Sequence, residues 1–236
     1  MAELLVETPK RALAIYAHPD DPEVSCGGTL ASWARSGCDV HVLLCTKGEK
    51  GTTDPAISTD ELAELRAGEA RAAAAIVGVS ELHSLGHPDG ELIDGLGLIS
   101  EIVAVVRKVR PLVVLCPDPT ALIFGEDYVN HRDHRVLGAC VLDALAFASA
   151  LPHYFPEAGS PHQVGTVLLS GTLQPSVWVD VGSTIEEKVA AVACHKSQLP
   201  NDAAWAEEAV RERAREEGRK VGVLFAEGFR RVRLGS

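Results

Sequence analysis

The sequence has no excess of positive charge. Its 236 residues carry 22 Lys and Arg against 33 Asp and Glu, a net charge of -11, so a phosphate backbone or an anionic membrane surface would be repelled. No nucleic-acid partner is expected. The chain also lacks any uncharged apolar run near the ~18 residues of a membrane span. Its opening, MAELLVETPKR, carries Glu3, Glu7, Lys10 and Arg11 and has no apolar stretch of the kind found in a signal peptide. The expectation is a cytoplasmic protein with no membrane span. Closely spaced cysteines are missing too. The six at 26, 38, 45, 116, 140 and 194 are never closer than seven apart, which excludes a zinc ribbon or a CxxC redox pair and reads as small buried hydrophobes. No fixed-period repeat or low-complexity linker divides the chain. What is present is ordinary globular composition, 46% hydrophobic and 23% charged, in a length that suits one domain over 1–236. Such a chain can bury a full core without staples, so a metal, if bound, serves chemistry.

The patterning alternates strands and helices. RALAIYA at 11–17 is a short buried strand that stops at His18-Pro19-Asp20-Asp21. Gly27 and Gly28 are expected to open a helix that stops at Gly37, and DVHVLLCT at 39–46 is the next strand, completing a β-loop-α-β unit with a right-handed crossover. Ser58 and Glu61 form a capping box for a helix that runs to Gly78. A strand at Glu81 to Gly86 meets the turn His87-Pro88-Asp89-Gly90, a helix through Ile99 and Val109 ends at Pro111, and LVVLC at 112–116 is a buried strand. His131 and His134 begin a long helix. In the last third, HQVGTVLLSG and SVWVDV read as strands, Ser183 and Glu186 as a helix cap, Asp202 as the start of a charged helix and FAEGFRRVRL as a final strand. The fold class is α/β: a Rossmann-like, doubly wound, mostly parallel sheet with helices on both faces. The loops 47–57, 87–97, 118–130 and 151–161 are expected to rim a pocket.

In such a sheet the ligand crevice lies beyond the carboxyl ends of the strands, where His18-Pro19-Asp20-Asp21 sits. His18 and Asp21 can turn toward one point as ligands of a zinc-like ion, and Asp20 between them can hold a proton beside a reacting water. His131 and His134, at i and i+3 on a helix, can give one further ligand and one imidazole that faces substrate. HPD alone is a common turn, as His87-Pro88-Asp89 is expected to be, and HxxH alone is commonly structural. Their pairing at a strand end and a helix start makes the case for a metal.

The string AHPDDPE at 17–23 together with HRDH at 131–134 resembles the LmbE-like, or PIG-L, family of zinc-dependent N-deacetylases. TKGEKG at 46–51, Arg66 with Glu69, PDG at 88–90, WVD at 178–180 and HKSQ at 195–198 follow in the family's order. The resemblance implies a Rossmann-like fold and hydrolysis of an acetyl or similar acyl group from the amide nitrogen of an amino sugar or glycoconjugate. It implies Zn2+, with another divalent ion such as Fe2+ as the alternative, on His18, Asp21 and His134. Asp20 becomes the general base, a protonated His131 the second, electrostatic histidine, and Arg66 and Asp89 substrate-binding residues. It also admits a homo-oligomer. Glu23, and His195, Ser197 and Gln198, are read as structural. The alternatives are an amidase acting on a thiol or cysteine conjugate of an amino sugar, and a non-catalytic sugar-binding protein. Phosphoester hydrolysis would want a second run of ligands.

Overall fold

The computed structural model describes residues 3–199 and 203–235. The strands are β1 (Glu3–Leu4), β2 (Arg11–Tyr16), β3 (Asp39–Thr46), β4 (Glu81–His87), β5 (Val113–Pro117), the small hairpin β6 (Ile123–Phe124) and β7 (Tyr128–Val129), then β8 (Thr166–Ser170), β9 (Val177–Asp180) and β10 (Ala226–Arg233). The helices are α1 (Asp21–Arg35), α2 (Thr59–Val77), α3 (Leu96–Val109), α4 (Arg132–Asp143), α5 (Ile185–Val192) and α6 (Ala203–Val221). The main sheet has the order β1-β9-β10-β8-β5-β2-β3-β4. All its pairings are parallel except those of β10, which runs antiparallel to both β8 and β9.

The central strands are apolar on both faces because both faces are covered. From β2, Leu13 and Ile15 pack with Ile102, Val106 and Leu137 of α3 and α4, whereas Ala12, Ala14 and Tyr16 pack with Leu30 and Trp33 of α1 and Ala73 of α2. The chain leaves β2 toward β3 and β4 on one side and later fills β5 and β8 on the other. The strand order therefore reverses beside β2, which makes the carboxyl ends of β2 and β5 the ligand-binding end of the sheet.

The predicted capping box holds: Ser58 Oγ accepts from the Glu61 backbone, and the Glu61 carboxylate accepts from Ser58 N at 3.0 Å. Four local expectations fail. Helix α1 begins at Asp21, six residues before Gly27, because Pro22 at its first turn needs no amide donor; non-helical Cys26 marks a kink within it. Gly28 instead permits close packing, since a Cβ there would lie 2.8 Å from Val181. Helix α5 is not capped by Ser183 and Glu186; its N-cap is Thr184, whose hydroxyl donates to the Gly28 carbonyl at 2.8 Å. The helix from His131 leaves α geometry at Ala144, where a π-helical turn runs to Ala148. The segment 151–161 does not rim the site. It lies at the far end of the sheet, where buried Arg107 donates to the carbonyls of Phe155, Tyr154 and Gly159. The expected start of the charged helix at Asp202 lies outside the described residues.

Candidate functional site

Strand β2 ends one turn before the site. After it, the chain folds back so that His18 N donates to Asp21 Oδ2 at 2.8 Å and Asp21 N to the His18 carbonyl at 3.3 Å. That turn brings the His18 ring and the Asp21 carboxylate side by side. The other half comes from α4, whose N-cap is His131, so His134 stands in its first turn and faces back across the β2 and β5 strand ends.

The two segments converge. His18 Nδ1 lies 3.2 Å from His134 Nε2 and 3.2 Å from Asp21 Oδ2, and His134 Nε2 lies 3.0 Å from Asp21 Oδ1. Ligands at bonds of ~2.0–2.1 Å around a tetrahedral zinc stand about 3.3 Å from one another, so the three donors already have the separations of such a shell. The residues fit a divalent cation in a second respect. Burial, the largest influence on His18, would lower its pKa, yet Asp21, Asp133 and Asp89 together push it up to about 12. A histidine held cationic by three carboxylates marks a place where positive charge is wanted. Burial raises and the two histidines lower the Asp21 carboxyl, which ends well below the usual carboxylate range.

Outer partners orient both rings, as around metal-bound histidines. His134 Nδ1 is 3.0 Å from Asn130 Oδ1, and the Asn130 amide is itself fixed by donating to the Ala121 carbonyl at 2.7 Å. His18 Nε2 lies 3.0 Å from Asp89 Oδ1 and 3.6 Å from Asp133 Oδ2, though without the alignment of a hydrogen bond. Asp133 is fully buried and accepts from Gly90 N at 2.7 Å and Leu92 N at 3.3 Å, which ties the turn after β4 to the start of α4.

Asp20 stands between the two predicted β2-loop ligands. Its Oδ1 accepts from Arg66 Nη2 at 2.7 Å, and Arg66 Nη1 donates to the Gly48 carbonyl at 2.7 Å. Arg66 is only 3% exposed, so its guanidinium backs Asp20 where the sequence reading had it lining the substrate side. Asp89, also expected on the substrate side, lies against His18 and accepts from Lys50 N at 3.3 Å. The His131 ring stands edge-on to His18 at 4.7 Å between centroids. Its Nδ1 accepts from Asp133 N at 3.2 Å, which puts the proton of the neutral ring on Nε2. Burial first, then the neighbouring His18, holds His131 below the ordinary imidazole value.

Asn130 and Asp133 were missed from the sequence, although both lie within the string NHRDH; the signal was a carboxamide one helical turn before His134 and a carboxylate between two candidate ligands. The HKSQ segment braces the surroundings. His195 Nε2 is 3.2 Å from Glu23 Oε2 with both residues buried, Ser197 Oγ donates to Glu69 at 2.6 Å, and Gln198 donates to the Gly51 carbonyl at 3.0 Å. Beside Asp21 and His134 opens a small cavity of about 40 Å³, walled by Tyr16, Ser25, Phe124 and Ser170.

The site and its scaffold match known proteins. The PIG-L family, GlcNAc-PI de-N-acetylase, matches residues 13–145. Diacetylchitobiose deacetylase of Thermococcus kodakarensis is 39% identical over 229 residues, covering 94% of this chain and 83% of that protein. A 1D-myo-inositol 2-acetamido-2-deoxy-alpha-D-glucopyranoside deacetylase of Mycobacterium sp. is 29% identical over 243 residues, covering 83% and 76%. Among solved structures, N,N'-diacetylchitobiose deacetylase from Pyrococcus horikoshii, complexed with an inhibitor, superposes with a TM-score of 0.87 at 31% identity, over 95% of this chain and 84% of that one.

Proposed function

The chain belongs to the PIG-L family, and from that premise we propose that it is a zinc-dependent hydrolase that removes an acetyl group from the amide nitrogen of an amino sugar or its conjugate. The diacetylchitobiose and N-acetylglucosaminyl inositol named for the relatives support this substrate class. His18, Asp21 and His134 would hold the ion. A divalent cation there supplies Lewis acidity, polarising the acyl carbonyl and lowering the pKa of a water toward ~7.

The remaining steps belong to the chain's own residues. Asp20, with Oδ1 held by Arg66, keeps its second oxygen to accept the proton of the attacking water. His131, neutral with its proton on Nε2, offers that N–H to the oxygen that becomes negative as the amide carbon turns tetrahedral. One such donor contributes on the order of 10² to 10³ in rate. Asp20 then returns its proton to the leaving amine. Arg66 and Asp89 serve as positioning residues in this scheme, Arg66 for Asp20 and Asp89 for His18.

The observation that carries the reading is the meeting of His18, Asp21 and His134 at 3.0–3.2 Å next to a carboxylate anchored by a buried arginine. A second grouping of potential ligands, His18, His131 and Asp133, shares His18 with the first and so does not make an independent two-metal clamp for phosphoester chemistry. The six cysteines are free thiols, which suits a reducing cytoplasmic setting. No helix among the described residues is long and apolar enough to cross a membrane.

The test is amine release from N-acetylglucosamine, N,N'-diacetylchitobiose and an N-acetylglucosaminyl inositol, with metal content measured on the same preparation. Chelation should abolish turnover and zinc restore it. Turnover that survives complete metal removal, or release from none of these substrates, would overturn the proposal.

A further inference from the structure

Away from the site, at the opposite end of the same sheet, two more imidazoles face each other. His41 is the third residue of β3, five residues or ~16 Å before the strand end that adjoins the catalytic cluster. In the parallel register it stands opposite Glu81, and His83 follows two residues along edge strand β4. The two rings are nearly parallel, 9° apart, and His41 Nδ1 lies 3.2 Å from His83 Nε2.

The outer nitrogen of each ring faces a carboxylate. His41 Nε2 is 3.2 Å from Asp39 Oδ1, and Asp39 is itself fixed by Arg11 at 2.7 Å; His83 Nδ1 is 3.3 Å from Glu81 Oε1. When each outer nitrogen donates its proton to its carboxylate, both inner nitrogens carry lone pairs, and two lone pairs then confront each other at hydrogen-bond distance. Something positive belongs between them, either an added proton or a metal ion. The alternative tautomer, with one ring donating to the other, would leave one carboxylate facing a bare nitrogen.

We propose that His41, His83 and Glu81 form a second, independent site for a borderline divalent transition metal such as Zn2+, Co2+ or Cu2+. The three residues offer donor atoms within 4.8 Å of one another, with Glu81 Oε2 3.9 Å from His41 Nδ1. Two imidazoles and one carboxylate suit these ions over Mg2+ or Ca2+, and the Asp39 carboxylate behind His41 is the outer partner that a ligating histidine commonly has. The Glu81 side is open to solvent, so the ion is exchangeable and completes its shell with water. Lys108, from the last turn of α3, now occupies Glu81 Oε1 at 3.0 Å and must swing away, which its exposure allows.

Equilibrium dialysis at micromolar free Zn2+ tests this by the difference between wild type and the double variant His41→Gln/His83→Gln. One equivalent fewer in the double variant, with deacetylase activity retained, is the expected result, and the same difference is expected whether or not the catalytic cluster holds zinc. Lys108→Ala removes a competing cation ~4 Å away and should tighten the second equivalent about fivefold. Mass-spectrometric mapping of histidine acylation on the wild-type chain needs no variant: Zn2+ should protect His41 and His83. Equal zinc content in wild type and double variant, or acylation of both histidines unchanged by Zn2+, would overturn the site and leave the pair as a proton-sharing contact.

Discussion

Arg66 Nη2 donates to Asp20 Oδ1 at 2.7 Å from a guanidinium that is itself buried and anchored on the Gly48 carbonyl. A single side chain thus fixes both the proposed base and the loop beside it. Lysine cannot reproduce that fork. Arg66→Lys is expected to lower kcat by about 10², the scale of an ångström's misplacement, with KM and zinc content nearly unchanged. Zinc content falling along with kcat would move Arg66 from positioning the base to supporting the metal cradle.

Asp20→Asn keeps the size of the side chain and its bond to Arg66 through the amide oxygen but takes away the proton acceptor. Turnover should fall by about 10² to 10⁴ while metal stays bound. Steady-state kinetics with metal analysis on one sample decides it, and a fully active variant would remove Asp20 from the mechanism.

His134→Ala should abolish zinc binding, whereas Asn130→Ala, which frees the far side of the same ring, should weaken it by about 10- to 100-fold. Competition against a chromogenic chelator separates the two. Unchanged affinity in the asparagine variant would show that the Nδ1 contact does not orient His134.

In the metal-free protein His18 is protonated up to a pKa of about 12, whereas a ligating imidazole must be neutral. Zinc therefore has to expel this proton throughout the neutral range. Affinity should rise about tenfold per pH unit from this residue alone, and calorimetry in buffers of different ionisation enthalpy should find at least one proton released per zinc. Binding that releases none would mean that His18 is already neutral in the metal-free state.

Gly28→Ala places a Cβ 2.8 Å from both Cβ and Cγ1 of Val181, a stiff β-branched side chain. Helix α1 must then lift from the β9 end. A cost of ~1–3 kcal/mol and a thermal midpoint lower by ~2–4 °C for each of these follow. Val181→Ala in the same chain should recover part of the loss; strict additivity of the two changes would mean that they do not touch.

The alternation of elements and the identity of the converging residues were legible because each rests on local chemistry. The 11–17 run is apolar on both faces, the Ser58 and Glu61 box is a contact within one turn, and HPDD and HRDH keep their ligands close in sequence. What was not legible depends on distant partners. Nothing near Ser183 says that Thr184 will be held by the Gly28 carbonyl, and nothing near Arg107 says that it will gather the carbonyls of the 151–161 segment at the far end of the sheet. Arg66 and Asp89 were expected on the substrate side of the pocket. Their partners, Asp20 and His18, come from another stretch of chain and could be seen only once the fold had joined them.

Asp133 joins the turn after β4 to the first residues of α4 through Gly90 and Leu92. The turn after β4 and the start of α4 are thereby held to each other beside the cluster. The β6–β7 hairpin is placed differently: its Tyr128 and Val129 stand largely in solvent and its Phe124 reaches the cavity wall. Exchanging residues of that hairpin is therefore expected to reshape the cavity wall while leaving the His18, Asp21 and His134 cluster in place.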